Sequence, residues 1–185
     1  MGRKGDENRR RIVDAAGTLF HQKGFGRSSL GDVARSVGLP KGNLYHYFPS
    51  KDALLQAVVE DRVERLEESL SQCSENVADP RERLKRLPYL QQVEDVHHFG
   101  CPYGTLTAEL GKEGSGQQER AGAAFALLLA WTEEQYCALG FDDAAARARR
   151  HIARLQGAAV LAHAFGDPAV IEAEVAEVAA GIDRL

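Results

Sequence analysis

Between Gly38 and Lys51 the chain reads GLPKGNLYHYFPSK, fourteen residues without a carboxylate. Its side chains are donors and aromatics: Lys41, Asn43, Tyr45, His46, Tyr47 and Lys51. A surface without negative charge that offers ammonium, amide, phenol and imidazole groups suits a polyanion with readable edges. Lys41 can reach a guanine edge or a phosphate, and Tyr45 a thymine methyl or a phosphate. Gly42 has no side chain, so the backbone there can approach bases closely. His46, Tyr47 and Lys51 can donate to phosphates, as can Ser28 and Ser29 at the start of the preceding helix.

The second stretch with chemistry is FGCPYGTLTAEL, Phe99 to Leu110. Cys101 stands just ahead of an expected helix start, where the helix dipole favours a thiolate. A redox or electrophile-sensing role is one reading of it, and a small buried hydrophobe is the other. His97, His98 and Cys101 lack a fourth ligand at a useful spacing, so no metal site is expected. No nucleophile–base–orienter set, Gly-rich phosphate loop or HExxH motif occurs, so no enzyme activity and no cofactor are expected.

These residues are useful only if helices hold them, and nearly all of the chain reads as helix. The expected class is all-α, with about nine helices: three in an N-terminal head (1–50) and six in a C-terminal body (51–185). Helix one carries Ile12, Ala15, Ala16, Leu19 and Phe20 and stops at Gly24. Ser28 or Ser29 caps helix two, with a stripe at Leu30, Val33, Ala34 and Val37. Gly38-Leu39-Pro40 is a tight turn into a third short helix, Lys41 to Phe48. Leu44 and Phe48 share its inner side, and Gly42 and His46 lie roughly opposite. Two short helices across a Gly turn form a helix-turn-helix, whose second helix can enter a major groove.

Beyond it, Ser50 caps a long helix from Lys51 to about Ser71, and Asp79-Pro80 opens another that Pro88 shortens. A short helix ends near Gly111, and Glu113 to Gly116 reads as a loop. Two long helices follow, about Gln118 to Leu139 and Asp143 to Phe165, with Gly140 and Gly166 as stops. Asp167-Pro168 starts the last helix, with apolar residues at Ile171, Val175, Val178 and Ile182.

The totals agree. The chain has 185 residues, 44% hydrophobic, and a net charge of −4. Met1 to Leu55 holds ten basic and five acidic residues, which leaves thirteen basic and twenty-two acidic for the rest. A basic head on an acidic body implies that the head alone meets a polyanion. Three separated cysteines suggest reduced thiols, and the absence of a long apolar run or leader-like segment suggests a cytoplasmic protein without a membrane span. Arg3-Lys4 and Arg9-Arg10-Arg11 read as a flexible basic arm ahead of helix one, either adding phosphate or minor-groove contacts or remaining an unstructured tail.

Arg11 to Glu60 resembles the DNA-binding region of the TetR family of transcriptional regulators. The motifs are AAxxLFxxKGF (Ala15 to Phe25), VAxxVG (Val33 to Gly38) and KGNLYHYFPSKDAL (Lys41 to Leu54). The close match covers about a quarter of the chain. The resemblance implies a repressor that leaves its double-stranded operator when a small-molecule effector binds the body. It makes the third helix the recognition helix, with Lys41, Gly42, Tyr45, His46 and Lys51 at DNA-contacting positions. His46-Tyr47 stands where Tyr-His is common, so either ring could be the phosphate donor.

The resemblance also implies a homodimer through the last two helices. The small residues Ala153, Gly157, Ala158, Ala159 and Ala162 and the stripe at 171, 175, 178 and 182 fit such a seam. Candidate effector-lining residues are His98, Tyr103, Leu106, Phe125, Leu128, Leu129, Trp131, Thr132 and Tyr136, with His97 and Phe99 near the entrance. The Gly-Cys-Pro stretch at Cys101 is similar to one branch of the family that includes electrophile-responsive members. An enzyme with a helical docking head, and a DNA-binding dimer without an effector, are the rival readings.

Overall fold

The computed structural model describes residues 3–90, 96–110 and 117–185, with side chains from 4 to 90, 96 to 110 and 122 onward. The described residues form helices joined by short turns, with no strand. The helices are α1 (Arg3–Lys23), α2 (Leu30–Ser36), α3 (Lys41–Tyr47), α4 (Lys51–Asn76), α5 (Pro80–Arg86), α6 (Val96–Phe99), α7 (Pro102–Leu110), α8 (Gln117–Ala138), α9 (Ala144–Phe165) and α10 (Ala169–Asp183). Nine of them run seven residues or more, and α6 is a single turn. The expected all-α class holds.

Local chemistry sets the boundaries. Gly24 ends α1 with φ of +86°, where a Cβ would also stand 3.2 Å from Glu109 Oε1. Ser29 and Asp32 form a reciprocal capping box at α2. Ser50 Oγ accepts from Ala53 N–H at 3.0 Å to open α4. Asp79 caps α5 with Pro80 in its first turn, and Pro88 sits in a 3-10 turn, Leu87–Tyr89, that follows α5.

Two expectations are corrected here. Residues 3–11 are the first turns of α1 and not a flexible arm. The segment holds mostly good helix formers, Asp6 lies in the positive first turn, and two of its arginines are tied down: the Arg9 guanidinium lies 5.1 Å from the Phe48 ring centroid and Arg11 donates to Val37 O at 3.3 Å. α4 runs on to Asn76, past the expected end near Ser71, because Leu66, Leu70, Cys73 and Val77 keep burying one stripe. The loop read at Glu113–Gly116 lies outside the described residues.

The chain divides into two compact units: residues 1–63 with 106–121, and residues 64–105 with 122–185. The first has a continuous core from Ile12, Ala16, Phe20, Val33, Leu44, Phe48, Leu54 and Val58, with Leu106 and Leu110 of α7 joined to it. Phe20 and Phe25 meet edge to face at 5.2 Å. Glu109 ties the α1–α2 corner: its carboxylate accepts from Phe25 N–H at 2.8 Å and Gly26 N–H at 2.6 Å.

In the second unit Arg83 closes the end of α4, donating to Ser74 O at 2.7 Å, Val77 O at 2.5 Å and Gln135 Oε1 at 3.1 Å. One core cluster joins Leu84, Tyr136, Ala144, Ala148, Val178 and Ile182. Another joins Val96, Cys101 and Ala159, with Tyr103 and Ile171 packed against it.

Candidate nucleic-acid interface and effector cavity

α3 is a seven-residue helix whose buried side is Leu44, followed by Phe48 at its C-cap. Both are essentially inaccessible and belong to the first unit's core. That anchoring turns Lys41, Gly42, Asn43, Tyr45 and His46 outward, all exposed. Tyr45 is 47% exposed, a large ring held in water without a protein partner to cover it. Before α3, the Gly38 turn has φ of +69°, a left-handed conformation that lets α2 and α3 meet at a sharp angle.

The remaining sequence-derived candidates divide. Tyr47 is half-buried and its hydroxyl accepts from Asn8 Nδ2 at 3.3 Å, so His46 is the freer of the two rings. Lys51 is half-buried with its ammonium 4.0 Å from the Phe25 ring centroid, a cation–π seat at the start of α4. Ser28 does not face out. It is 5% exposed, and its hydroxyl donates to Gly24 O at 2.8 Å, which closes the α1–α2 corner. Ser29 is exposed, but its hydroxyl serves the capping box, donating to Asp32 Oδ2 at 2.6 Å. That hydrogen bond holds the Asp32 carboxyl below its usual range.

The second unit contains a cavity of about 250 Å³. Its walls are Leu87, Pro88, Tyr89, Val96, Leu128, Ile152, Leu155, Ala159, Pro168, Ile171 and Val175, with His97, Cys101, Gln156 and Glu172 as polar or polarisable members. A mostly apolar wall with a few polar groups is the usual composition of a small-molecule site. Gln156 donates to Cys101 Sγ at 3.4 Å, and Cys101 is 8% exposed. At Gly100, with φ of +76°, a Cβ would stand 2.7 Å from Thr105 Cγ2. Only glycine lets the chain turn from α6 into α7 there and set Cys101 against the cavity.

Of the expected effector-lining residues, Leu128 lines this cavity, together with His97 and Cys101. The others lie elsewhere. Leu106 is in the first unit's core. Trp131 is buried and donates to Ser74 Oγ at 2.9 Å. Thr132 is fully buried and donates back to Leu128 O at 2.7 Å, a bond internal to α8. Phe125 is half-buried and is not among the lining residues. Tyr103 packs on the Val96–Cys101–Ala159 cluster. His98 is exposed, its ring 3.9 Å from that of His97.

The α10 stripe also faces inward. Val178 and Ile182 are buried in the chain's own core, and Ile171 and Val175 line the cavity. The wall residues missed in the sequence, Ile152, Leu155, Gln156 and Ala159, follow helical spacing on α9. Their period was visible; which neighbour that face met was not.

No helix among the described residues is long and apolar enough to cross a membrane. Residues 12–58 match the family model for bacterial regulatory proteins of the tetR family. The HTH-type transcriptional regulator LmrA of Bacillus subtilis is 27% identical over 149 residues, 76% of this chain and 77% of its own length. The HTH-type transcriptional repressor DhaR of a Mycobacterium strain is 26% identical over 102 residues, 55% of this chain and 52% of its own. A solved TetR-family transcriptional regulator from Agrobacterium tumefaciens shares the fold with a TM-score of 0.85, at 24% identity and covering 98% of both chains. With its helix-turn-helix motifs, exposed α3 and all-helical architecture, the chain carries the DNA-binding region of the tetR family at residues 12–58 and is similar over most of its length to HTH-type transcriptional regulators.

Proposed function

We propose that this protein is a repressor that reads its operator with α3 and releases it when a small, largely apolar effector occupies the cavity of the second unit. The observation that carries the reading is the acid-free outer face of α3, Lys41 to His46, held rigidly by the buried Leu44 and Phe48. In this reading Lys41, Gly42, Asn43, Tyr45 and His46 meet DNA, with Tyr47 and Lys51 bracing the helix. Residues 1–50 are the DNA-binding domain, and 51–185 bind effector and form the dimer. No catalytic role is assigned to any residue, and the work is done in the cytoplasm, where the operator is.

The apolar character of the cavity argues for a hydrophobic ligand oriented by His97, Gln156 or Glu172. Cys101 serves as a wall whose sulfur accepts one hydrogen bond. Dimerisation through α9 and α10 is supported by a different face from the one the sequence suggested. Val160, Leu161 and Phe165 are 65%, 50% and 72% exposed on the second half of α9, where Gly157 and Ala164 are exposed too. Such an apolar patch calls for a cover, and a two-fold copy of itself supplies one.

The test is a gel shift with DNA flanking the protein's own gene, titrated with salt. Specific retention that weakens steeply with salt and is lost in Lys41→Ala is expected. Wild-type binding no tighter than to unrelated DNA would refute the reading.

A further inference from the structure

A second cavity of about 190 Å³ opens on the other side of α9, where α9, α8 and the end of α10 meet. Arg147, Arg150 and Arg154 line it, and its floor is Tyr136, Val178 and Ile182. The three guanidinium groups are only partly neutralised. Arg147 Nε donates to Asp143 at 2.6 Å, one Arg150 nitrogen reaches the same carboxylate at 3.1 Å, and Arg154 pairs with Glu174. Asp143 and Glu174 thus meet three cations, with Leu185 also on the wall, and each of those bonds engages one N–H of a group that carries five.

The floor also holds a buried polar pair. His151 also lines this cavity, is 4% exposed, and lies with its Nδ1 3.1 Å from the Tyr136 hydroxyl. Its Nε2 is buried without a hydrogen-bond partner. Burial first, then the nearby Arg154 cation, pushes the ring's pKa down to about 4. The ring is therefore neutral at physiological pH, and its Nδ1 contact with the tyrosine hydroxyl fits either tautomer. A buried polar atom without a partner costs stability.

We infer that this cavity is a binding site for a small organic carboxylate with a compact apolar body, its oxygens met by the α9 arginines and its body lying on Tyr136, Val178 and Ile182. Three features select that class. Planar guanidinium groups match a carboxylate's two oxygens. The apolar floor disfavours a fully hydrated inorganic anion. The volume falls below the ~300 Å³ at which drug-sized sites begin, which excludes large ligands. The site is separate from the effector cavity: neither shares a wall residue with the other.

The experiment is calorimetric titration of the full chain at neutral pH and low salt with benzoate, benzyl alcohol and inorganic phosphate. Benzoate should bind saturably, and the other two at least about tenfold more weakly. Arg150→Gln should weaken benzoate about tenfold or more without lowering the melting temperature. Gly181→Val should do the same by filling the rim, since a Cβ there meets nothing closer than an Arg184 nitrogen at 4.0 Å. Leu128→Trp, which fills the other cavity, should leave benzoate affinity within about twofold.

No saturation by about 10 mM benzoate, equal binding of benzyl alcohol, or equal binding of phosphate would each overturn the inference. So would loss of benzoate in Leu128→Trp with retention in Gly181→Val, which would place the ligand in the effector cavity and leave the proposed repressor reading standing.

Discussion

Acidification from about pH 7.5 to about pH 5 should weaken the second unit through His151. The ring is packed under α8 and α10, and its pKa falls from 6.5 to about 4. Each unit corresponds to about 1.4 kcal/mol, so about 3 kcal/mol rides on keeping this ring neutral once the pH has fallen below both values. Between them the unfolded chain binds more protons than the folded one, so stability declines as pH declines. The contribution is nearly intact above about pH 7, and about 2 kcal/mol of it has gone by about pH 5. The carboxyls of Asp32 and Asp143, held low by Ser29 and by Arg147 respectively, add their own losses at lower pH. Urea unfolding followed by the fluorescence of Trp131, the single tryptophan, reads this unit directly. The denaturation midpoint of the wild type should drop across the window. His151→Gln, which can keep a hydrogen bond to Tyr136 but does not titrate, should be nearly flat there whatever its absolute stability. Parallel slopes for the two proteins would refute the argument and assign the pH dependence to other groups.

The same logic applies to the other sites. Lys41→Ala and Tyr45→Ala should each cost about 1–3 kcal/mol of operator binding in a gel shift, with melting temperatures unchanged because both side chains are exposed. Val160→Asp with Leu161→Asp should give a folded monomer by light scattering, whereas Val178→Asp should unfold the chain, since that position is 6% exposed. Glu109→Ala removes the acceptor of the Phe25 and Gly26 N–H groups. Charge-assisted bonds are worth about 1.5–3 kcal/mol each when buried, and partial exposure of these brings the expected loss to about 1–3 kcal/mol by thermal denaturation. Ser74→Ala should red-shift or quench Trp131 emission and cost about 1 kcal/mol, by orphaning an indole N–H that sits in the interior.

Local rules were legible in the sequence. Gly24, the Ser28-Ser29 pair, Gly38, Ser50, Asp79-Pro80 and Gly166 act within a turn of themselves, and each ends or starts a helix where its chemistry requires. The α3 face was equally legible, because a seven-residue helix with two apolar residues four apart has one inner side and leaves the other to solvent. What a stripe packs against is not local. Ile171, Val175, Val178 and Ile182 announced a buried face of α10, but the burying partners are α5, α8 and α9 of the same chain. The outward apolar patch at Val160, Leu161 and Phe165 looked like ordinary helix sequence.

The effector candidates show the same division. Leu106, Trp131 and Thr132 carry the residue types a pocket would use, yet tertiary packing assigns them to the head's core, to Ser74 and to the α8 backbone. Ser28 has a donor's chemistry, and the α1–α2 corner turns it inward. His151 is the plainest case: in sequence it is one more polar residue in an arginine-rich helix. Only the arrangement of α8, α9 and α10 sets it against Tyr136 and strips it of water. Residue type and short-range spacing fix which faces are apolar and where helices stop. Which faces meet depends on contacts between residues far apart in the chain, and burial, pKa and cavities follow from those contacts alone.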